Sequence, residues 1–235
     1  MRLFSLGEDC TVNHGLNDFA GYDPLYPDGV RKSPFGGTWI YDLSNKRGHR
    51  RTNYGSLSVV ADVINKEFAG WSELKKNYRG LYRSAHYPIE FTHYRGTDET
   101  WKHLNIPSVQ RFMGVLRSGN GPIIFTSSWR VYSGFKMARL SEDVKRFTLG
   151  HAALTYVLLR KYPDLKYELK FFFVVDRGRD EHVKYVRTLM AGRDVPYALI
   201  YNEVDLTPGR RWRQRFDCSG WPDAIGKTGI PEGMA

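Results

Sequence analysis

From residue 107 onward the chain switches regularly between two periodicities, and this constrains its fold more than any other feature. "PSVQRFMGVLRSG" (107–119) has helical spacing, with Pro107 suited to a first helical turn and Gly119 to the position just past a helix end. "PIIFTSSW" (122–129) then reads as a strand and "SEDVKRFTLGHAALTYVLLRKYP" (141–163) as a long helix. "YELKFFFVVD" (167–176) reads as a central strand, its continuous apolar run implying burial on both faces. A helix over about 180–191 and the strand "PYALIYN" (196–202) complete the series. Such alternation predicts an α/β fold: one domain built on a mostly parallel sheet with helices on both faces, three layers in all.

The first hundred residues are less regular. Leu3 to Leu6 predicts a short buried strand, and Asp9 is suited to cap a short helix that begins at Cys10 and ends by Gly21. Residues 20–55 are rich in Gly, Pro, Asp and Arg and predict a long irregular insertion, with only "TWIYDL" (38–43) ordered inside it. "SLSVVADVINKEF" (56–68) places Leu57, Val60, Ala61 and Ile64 on one helical face. A second helix is expected over 71–82, and "YPIEFTHY" (87–94) alternates as a half-buried strand does. The tail from Thr207 is loop-like, with Trp212, Phe216 and Trp221 expected to pack it onto the body. The expected organisation is therefore an α/β domain over 1–206, with its irregular insertion at about 20–55, and a tail over 207–235.

Composition narrows the partners. With 35 Lys and Arg against 25 Asp and Glu, the net charge is +10. Such a surface attracts acidic or phosphorylated substrates, and nucleic acid among them. No apolar segment approaches the roughly 18 residues that span a bilayer, so no membrane partner is expected. The N-terminus lacks the long apolar stretch and small-residue cleavage site of a signal peptide. A cytoplasmic location with Cys10 and Cys218 as free thiols follows as the expectation. The seven histidines and two cysteines never fall into His-x-x-x-His or Cys-x-x-Cys spacing, so no structural metal is expected and no cofactor is implied.

Open parallel sheets bind ligands just beyond the carboxyl ends of their strands. Here those ends carry Gly7, Glu8, Asp9 and Cys10 after the first strand, and Ser127, Ser128, Trp129 and Arg130 after "IIFT". Asp176, Arg177 and Arg179 follow "FFFVV", and Asn202 and Glu203 follow "ALIY". Cys10 is either a small buried apolar residue or a nucleophile. A helix N-terminus lowers a thiol's pKa, whereas the adjacent Glu8 and Asp9 oppose that, so a nearby imidazolium is needed. His93, on "EFTHY", and His14, at i+4 from Cys10, are the candidate bases, each with an ordinary packing or solvated role as the alternative.

Two further stretches are basic. "GRRWRQRF" (209–216) interleaves four arginines, Arg210 and Arg213 among them, with Trp212 and Phe216. That composition suits phosphates and stacked bases, or equally an arginine-rich surface segment anchored by its aromatics. "NKRGHRR" (45–51) is a second basic cluster, a solvated loop or an anion clamp. "GWPDAIGKT" (220–228) is not a phosphate loop: five residues separate its glycines where that motif requires four, and no strand precedes it.

"SLGEDC" (5–10), "SPFGGTW" (33–39), "FTHY" (91–94) and "VQRFMGVL" (109–116) occur in that order. Together they resemble a family of uncharacterised bacterial and phage proteins classed as papain-like cysteine peptidases. Its pattern is Ser-Leu-Gly-x-Asn/Asp-Cys, then Pro-Phe-Asp-Trp, Phe-x-His and a helix containing Arg-Phe. The resemblance spans roughly residues 4–126 and implies Cys10 as nucleophile and His93 as general base. Where the family has aspartate between Phe and Trp, this chain has Gly36-Gly37-Thr38, and Asp42 stands as the substitute that orients the histidine. A papain fold sets its cysteine on a long helix against an antiparallel barrel-like domain. The alternation therefore supplies the fold expectation and the motif order supplies the site residues.

Two functions follow. One is a thiol hydrolase or acyltransferase using Cys10 and His93, with backbone amides near residues 10–12 as the oxyanion site. The other is a transferase, of glycosyltransferase type for example, or a binding protein for nucleic acid or a nucleotide-linked donor. In that reading Arg130, Arg177, Arg179, Arg210 and Arg213 hold phosphates and Cys10 is structural. A non-catalytic assembly protein is the third possibility.

Overall fold

The computed structural model describes residues 2–7, 33–35, 39–40, 56–76, 80–91, 96–119, 123–131 and 140–202. The predicted helix from Cys10, most of the 20–55 insertion and the tail from Thr207 lie outside these residues.

Four strands, β1 (Arg2–Ser5), β6 (Ile123–Arg130), β7 (Tyr167–Asp176) and β8 (Tyr197–Asn202), form one sheet in the order β1-β6-β7-β8. Every pairing is parallel. The α/β alternation read from residue 107 onward thus builds the mostly parallel sheet it implied. The stretch of sequence between β1 and β6 forms a second, antiparallel sheet in the order β2-β5-β4-β3, made of β2 (Trp39–Ile40), β3 (Leu74–Lys76), β4 (Tyr82–Ser84) and β5 (Ile89–Phe91).

The helices are α1 (Ser56–Asn65), α2 (Asp98–Ser118), α3 (Leu140–Lys161) and α4 (Asp180–Met190). Phe112 of α2 meets Phe4 edge-on at 5.2 Å and Phe125 at 6.0 Å. Phe147 of α3 lies 4.9 Å from Trp129 and 5.1 Å from Phe171. On α4, Tyr185 donates its phenolic proton to the buried Asp143 carboxylate of α3 at 2.9 Å. Helix α1 packs on α3 at Gly150, where a Cβ would sit 3.0 Å from that of Leu57. The four described helices therefore lie over one face of the sheet, the one bearing Phe4, Phe125, Trp129, Phe171 and Phe173, whereas the alternation predicts helices on both faces. Strand order explains this: β1, β6, β7 and β8 succeed one another in one direction, and right-handed crossovers in one direction return to one face. The opposite face is equally shielded, with Phe172 and Val174 at 0% exposure, so the sheet is buried on both sides.

Two further readings are corrected. Residues 71–82 are not a helix: Leu74–Lys76 pairs antiparallel with Tyr82–Ser84, and Lys76 Nζ sits 4.8 Å over the ring of Tyr82, its cross-strand partner. Gly70 and Gly80, at φ +73° and +70°, bracket the first strand of this hairpin and break any helical run. Nor does Pro107 open a helix, since α2 already begins at Asp98 and Pro107 lies inside it. The true start is at Thr97, whose hydroxyl accepts from the Thr100 N–H at 3.2 Å, with Asp98 and Glu99 in the first turn. Burial of Trp101 (1% exposed) against Phe91 at 4.8 Å holds the segment ahead of the proline in place. Gly119 ends the helix in the left-handed conformation, φ +61°, as its position implied.

Candidate functional site

Two regions lie at the carboxyl edge of the parallel sheet. The first surrounds the end of β1. Strand pairing ends with Ser5 opposite Thr126, after which the Leu6 N–H donates to the Thr126 carbonyl at 2.8 Å. Gly7 then turns the chain at φ +106°, a value that favours glycine, and its N–H donates to Ser5 Oγ at 3.2 Å. The Ser33 hydroxyl donates to the Ser5 carbonyl, and the Phe35 N–H donates to Ser33 Oγ at 3.3 Å.

Phe35 is wholly buried, 5.5 Å from Trp71 and 5.8 Å from Phe112. Trp71 in turn meets Phe91 edge-on at 5.5 Å. The described parts of "SLGEDC", "SPFGGTW", "FTHY" and "VQRFMGVL" are thus joined through one aromatic cluster and one pair of serines, across more than a hundred residues of sequence. Cys10, Asp42 and His93 themselves lie outside the described residues.

The second region is the rim formed by β6, β7 and β8. Register places Arg130 beside Val174 and Asp176 beside Asn202, so these strand ends are staggered by two residues. Of the predicted rim residues, Ser127 is 2% exposed and shares the helix-covered face with Phe125 and Trp129. Its hydroxyl has no hydrogen-bond partner among the described residues. For Ser128 and Arg130 the strand backbone alone is described, and Arg210 and Arg213 lie outside the described residues.

After Asp176, the turn Arg177-Gly178 leads into α4, with Gly178 at φ +79° and the Arg179 N–H donating to the Asp176 carbonyl at 3.2 Å. Arg179 occupies the cap position without a side-chain cap bond, and its guanidinium reaches Glu181 Oε1 at 3.5 Å. The Glu181 carboxyl is held below its usual range first by its own backbone N–H and further by His182 and Arg179.

A cleft of about 550 Å³ opens here, lined by Asp176, Arg179, Asp180, Lys184, Arg187 and Tyr201 among others. Asp176 and Arg179 both line it, while Arg177 stays outside the lining. Lys184, Arg187 and Tyr201 were not singled out from the sequence. Their signal was present: Asp180, Lys184, Arg187 and Ala191 recur at helical spacing along one face of α4. Buried behind this rim, His182 is 2% exposed, and its Nδ1 has no partner among the described residues.

On the sheet face opposite the helices, Lys170 is buried with its Nζ 3.4 Å from the Glu168 carboxylate. Burial pushes its pKa down, and Glu168 offsets part of that. Among the described residues no group of three His, Cys, Asp or Glu side chains is placed to hold a metal ion. No helix among them is long and apolar enough to cross a membrane. Comparison of the chain with protein-family models, with curated proteins and with solved structures gave no match.

Proposed function

We propose that the chain is a thiol-nucleophile hydrolase or acyltransferase of papain-like chemistry, with Cys10 as nucleophile, His93 as general base and Asp42 orienting the imidazole. The supporting observation is that described parts of the four motifs are linked by one run of contacts, from Ser5 through Ser33 and Phe35 to Phe112, and through Trp71 to Phe91. Cys10 follows Gly7 by three residues and His93 follows Phe91 by two, spans of roughly 10 and 7 Å at full extension. In the proposed reaction Cys10 Sγ attacks an acyl carbonyl while His93 takes the thiol proton. The imidazolium returns that proton to the leaving group as its bond to the carbonyl breaks. Water, or a second nucleophile, then displaces the sulfur to release the acid or the transferred acyl product. With a net charge of +10, an acidic or phosphorylated acyl substrate is the class favoured. The test is competitive labelling by a thiol alkylating agent followed by peptide mapping. Cys10 labels well ahead of Cys218 if the proposal holds, and equal or slower labelling of Cys10 contradicts it.

The cleft beside α4 favours a second reading, a transferase or binding protein for a nucleotide-linked donor or nucleic acid. Arg179, Lys184 and Arg187 supply cations there, and Tyr201 supplies a ring for stacking. This reading expects binding that weakens steeply with salt and survives intact in a Cys10→Ser variant. Arg187→Glu weakens such binding, and an unchanged affinity in that variant rejects the cleft as the site.

A further inference from the structure

Helix α3 is apolar on two sides, and the described residues cover one of them. Phe147, Leu154, Val157 and Leu158 face the core, and Gly150 admits α1. On the other side, Glu142, Lys145, Leu149, Ala152, Tyr156 and Leu159 follow one another at alternating spacings of three and four residues, and all are exposed. Leu149 is 68% exposed, Tyr156 60% and Leu159 59%, against 42% or less for every other large exposed hydrophobic among the described residues. Alternating three-four spacing is the pattern by which one helix seats its side chains into another. An apolar stripe of this kind, bounded by charge, marks an interaction surface.

We propose that this seam is the interface of a homodimer, in which α3 pairs antiparallel with α3 of a second copy about a two-fold axis between Ala152 and Tyr156. The stripe is self-complementary in that arrangement. Leu149 falls opposite Leu159 of the partner subunit, and the small Ala152 falls opposite the large Tyr156 of the partner subunit. Charge agrees with size. Glu142 and Lys145 stand at the N-terminal end of the seam, while Asp164 and Lys166 are exposed just past its C-terminal end. An antiparallel pair sets Lys145 toward Asp164 of the partner subunit and Glu142 toward Lys166 of the partner subunit, and it aligns the two helix dipoles favourably. A parallel pair instead stacks Glu142 on its copy, Lys145 on its copy and Tyr156 on its copy, leaving a gap between the two Ala152 side chains.

Tyr156 stands exposed at the centre of the stripe, and Arg160 donates to its hydroxyl at 3.1 Å from one turn further on. The seam from Glu142 to Leu159 is roughly 25 Å long at the α-helical rise. That makes a small interface, so association in the micromolar range is the expectation.

Sedimentation equilibrium of the full chain, across a range spanning low to high micromolar concentration, tests the proposal. A reversible monomer–dimer equilibrium is expected, abolished by Leu149→Glu or Leu159→Glu with unchanged circular dichroism and melting of the monomer. Orientation is read from cysteine variants in a Cys10→Ser, Cys218→Ser background. A mixture of Leu149→Cys and Leu159→Cys proteins oxidises to a mixed disulfide dimer, whereas either alone does not. A chain monomeric throughout, a dimer indifferent to both glutamates, or self-crosslinking of Leu149→Cys alone overturns the proposal.

Discussion

The Ser33 hydroxyl donates to the main-chain carbonyl of Ser5, bridging residues that lie 28 apart in the sequence. Because Ser5 Oγ also accepts from Gly7, the end of β1 is fixed on both its backbone and its side chain. Ser33→Ala leaves the buried Ser5 carbonyl without this donor, a loss of about 1–3 kcal/mol. Urea titration is expected to show that drop. If the proposed site lies at this strand end, the same variant slows alkylation of Cys10 in the folded protein.

A second prediction concerns the joint between α3 and α4. Tyr185 (1% exposed) and Asp143 (5% exposed) meet at 2.9 Å inside the core. Tyr185→Phe keeps the ring's packing and removes one donor to a buried carboxylate, so the expected cost is about 1.5–3 kcal/mol. Thermal melting of the two proteins compares them directly. An unchanged midpoint shows that the bond contributes nothing net.

Stability is expected to fall on mild acidification, with His151 contributing. Its imidazole is held below the ordinary value of 6.5 first by burial and then by the guanidinium of Arg193. The folded state therefore binds fewer protons than the unfolded state in this range. Stability is lost as the pH falls from above 6.5 toward the lower folded value, and no more is lost below it. His151→Gln should narrow the difference between urea midpoints measured at neutral and mildly acidic pH. A difference equal to that of the parent chain removes His151 from the account.

Gly150 tests the packing of α1 on α3. Alanine favours a helix by about 1 kcal/mol over glycine. Here, however, its Cβ would meet Leu57 at 3.0 Å and the Ser58 backbone nitrogen at 3.2 Å. Overpacking costs roughly 1–3 kcal/mol, so Gly150→Ala is expected to lower the melting temperature despite its better propensity. A rise indicates that α1 shifts away at little cost.

What the sequence disclosed depended on how local the deciding forces were. The strands around Phe125 and Phe173 and the helix around Leu154 were legible because each element carries its own apolar period and lies in a βαβ succession. The hairpin at Leu74–Lys76 and Tyr82–Ser84 was not: its strands are three residues long, and cross-strand pairs such as Lys76 with Tyr82 hold them together. Pro107 misled because its local rule points to a helix start, while Trp101, six residues earlier, is held by the aromatic cluster it enters. At the rim, strand ends pointed to Asp176 and Arg179. Lys184, Arg187 and Tyr201 join them only because β8 lies beside β7 with α4 above, a relation set by tertiary pairing.

The most direct test of the thiol proposal is the rate of iodoacetamide modification of Cys10 as a function of pH, followed by mass spectrometry, in the parent chain and in His93→Ala. The proposal predicts rapid modification with an apparent pKa well below the free-thiol value of about 8.5, lost when His93 is removed. A slow or protected Cys10, indifferent to His93, contradicts it and leaves the cleft at Arg179 and Tyr201 as the site to pursue.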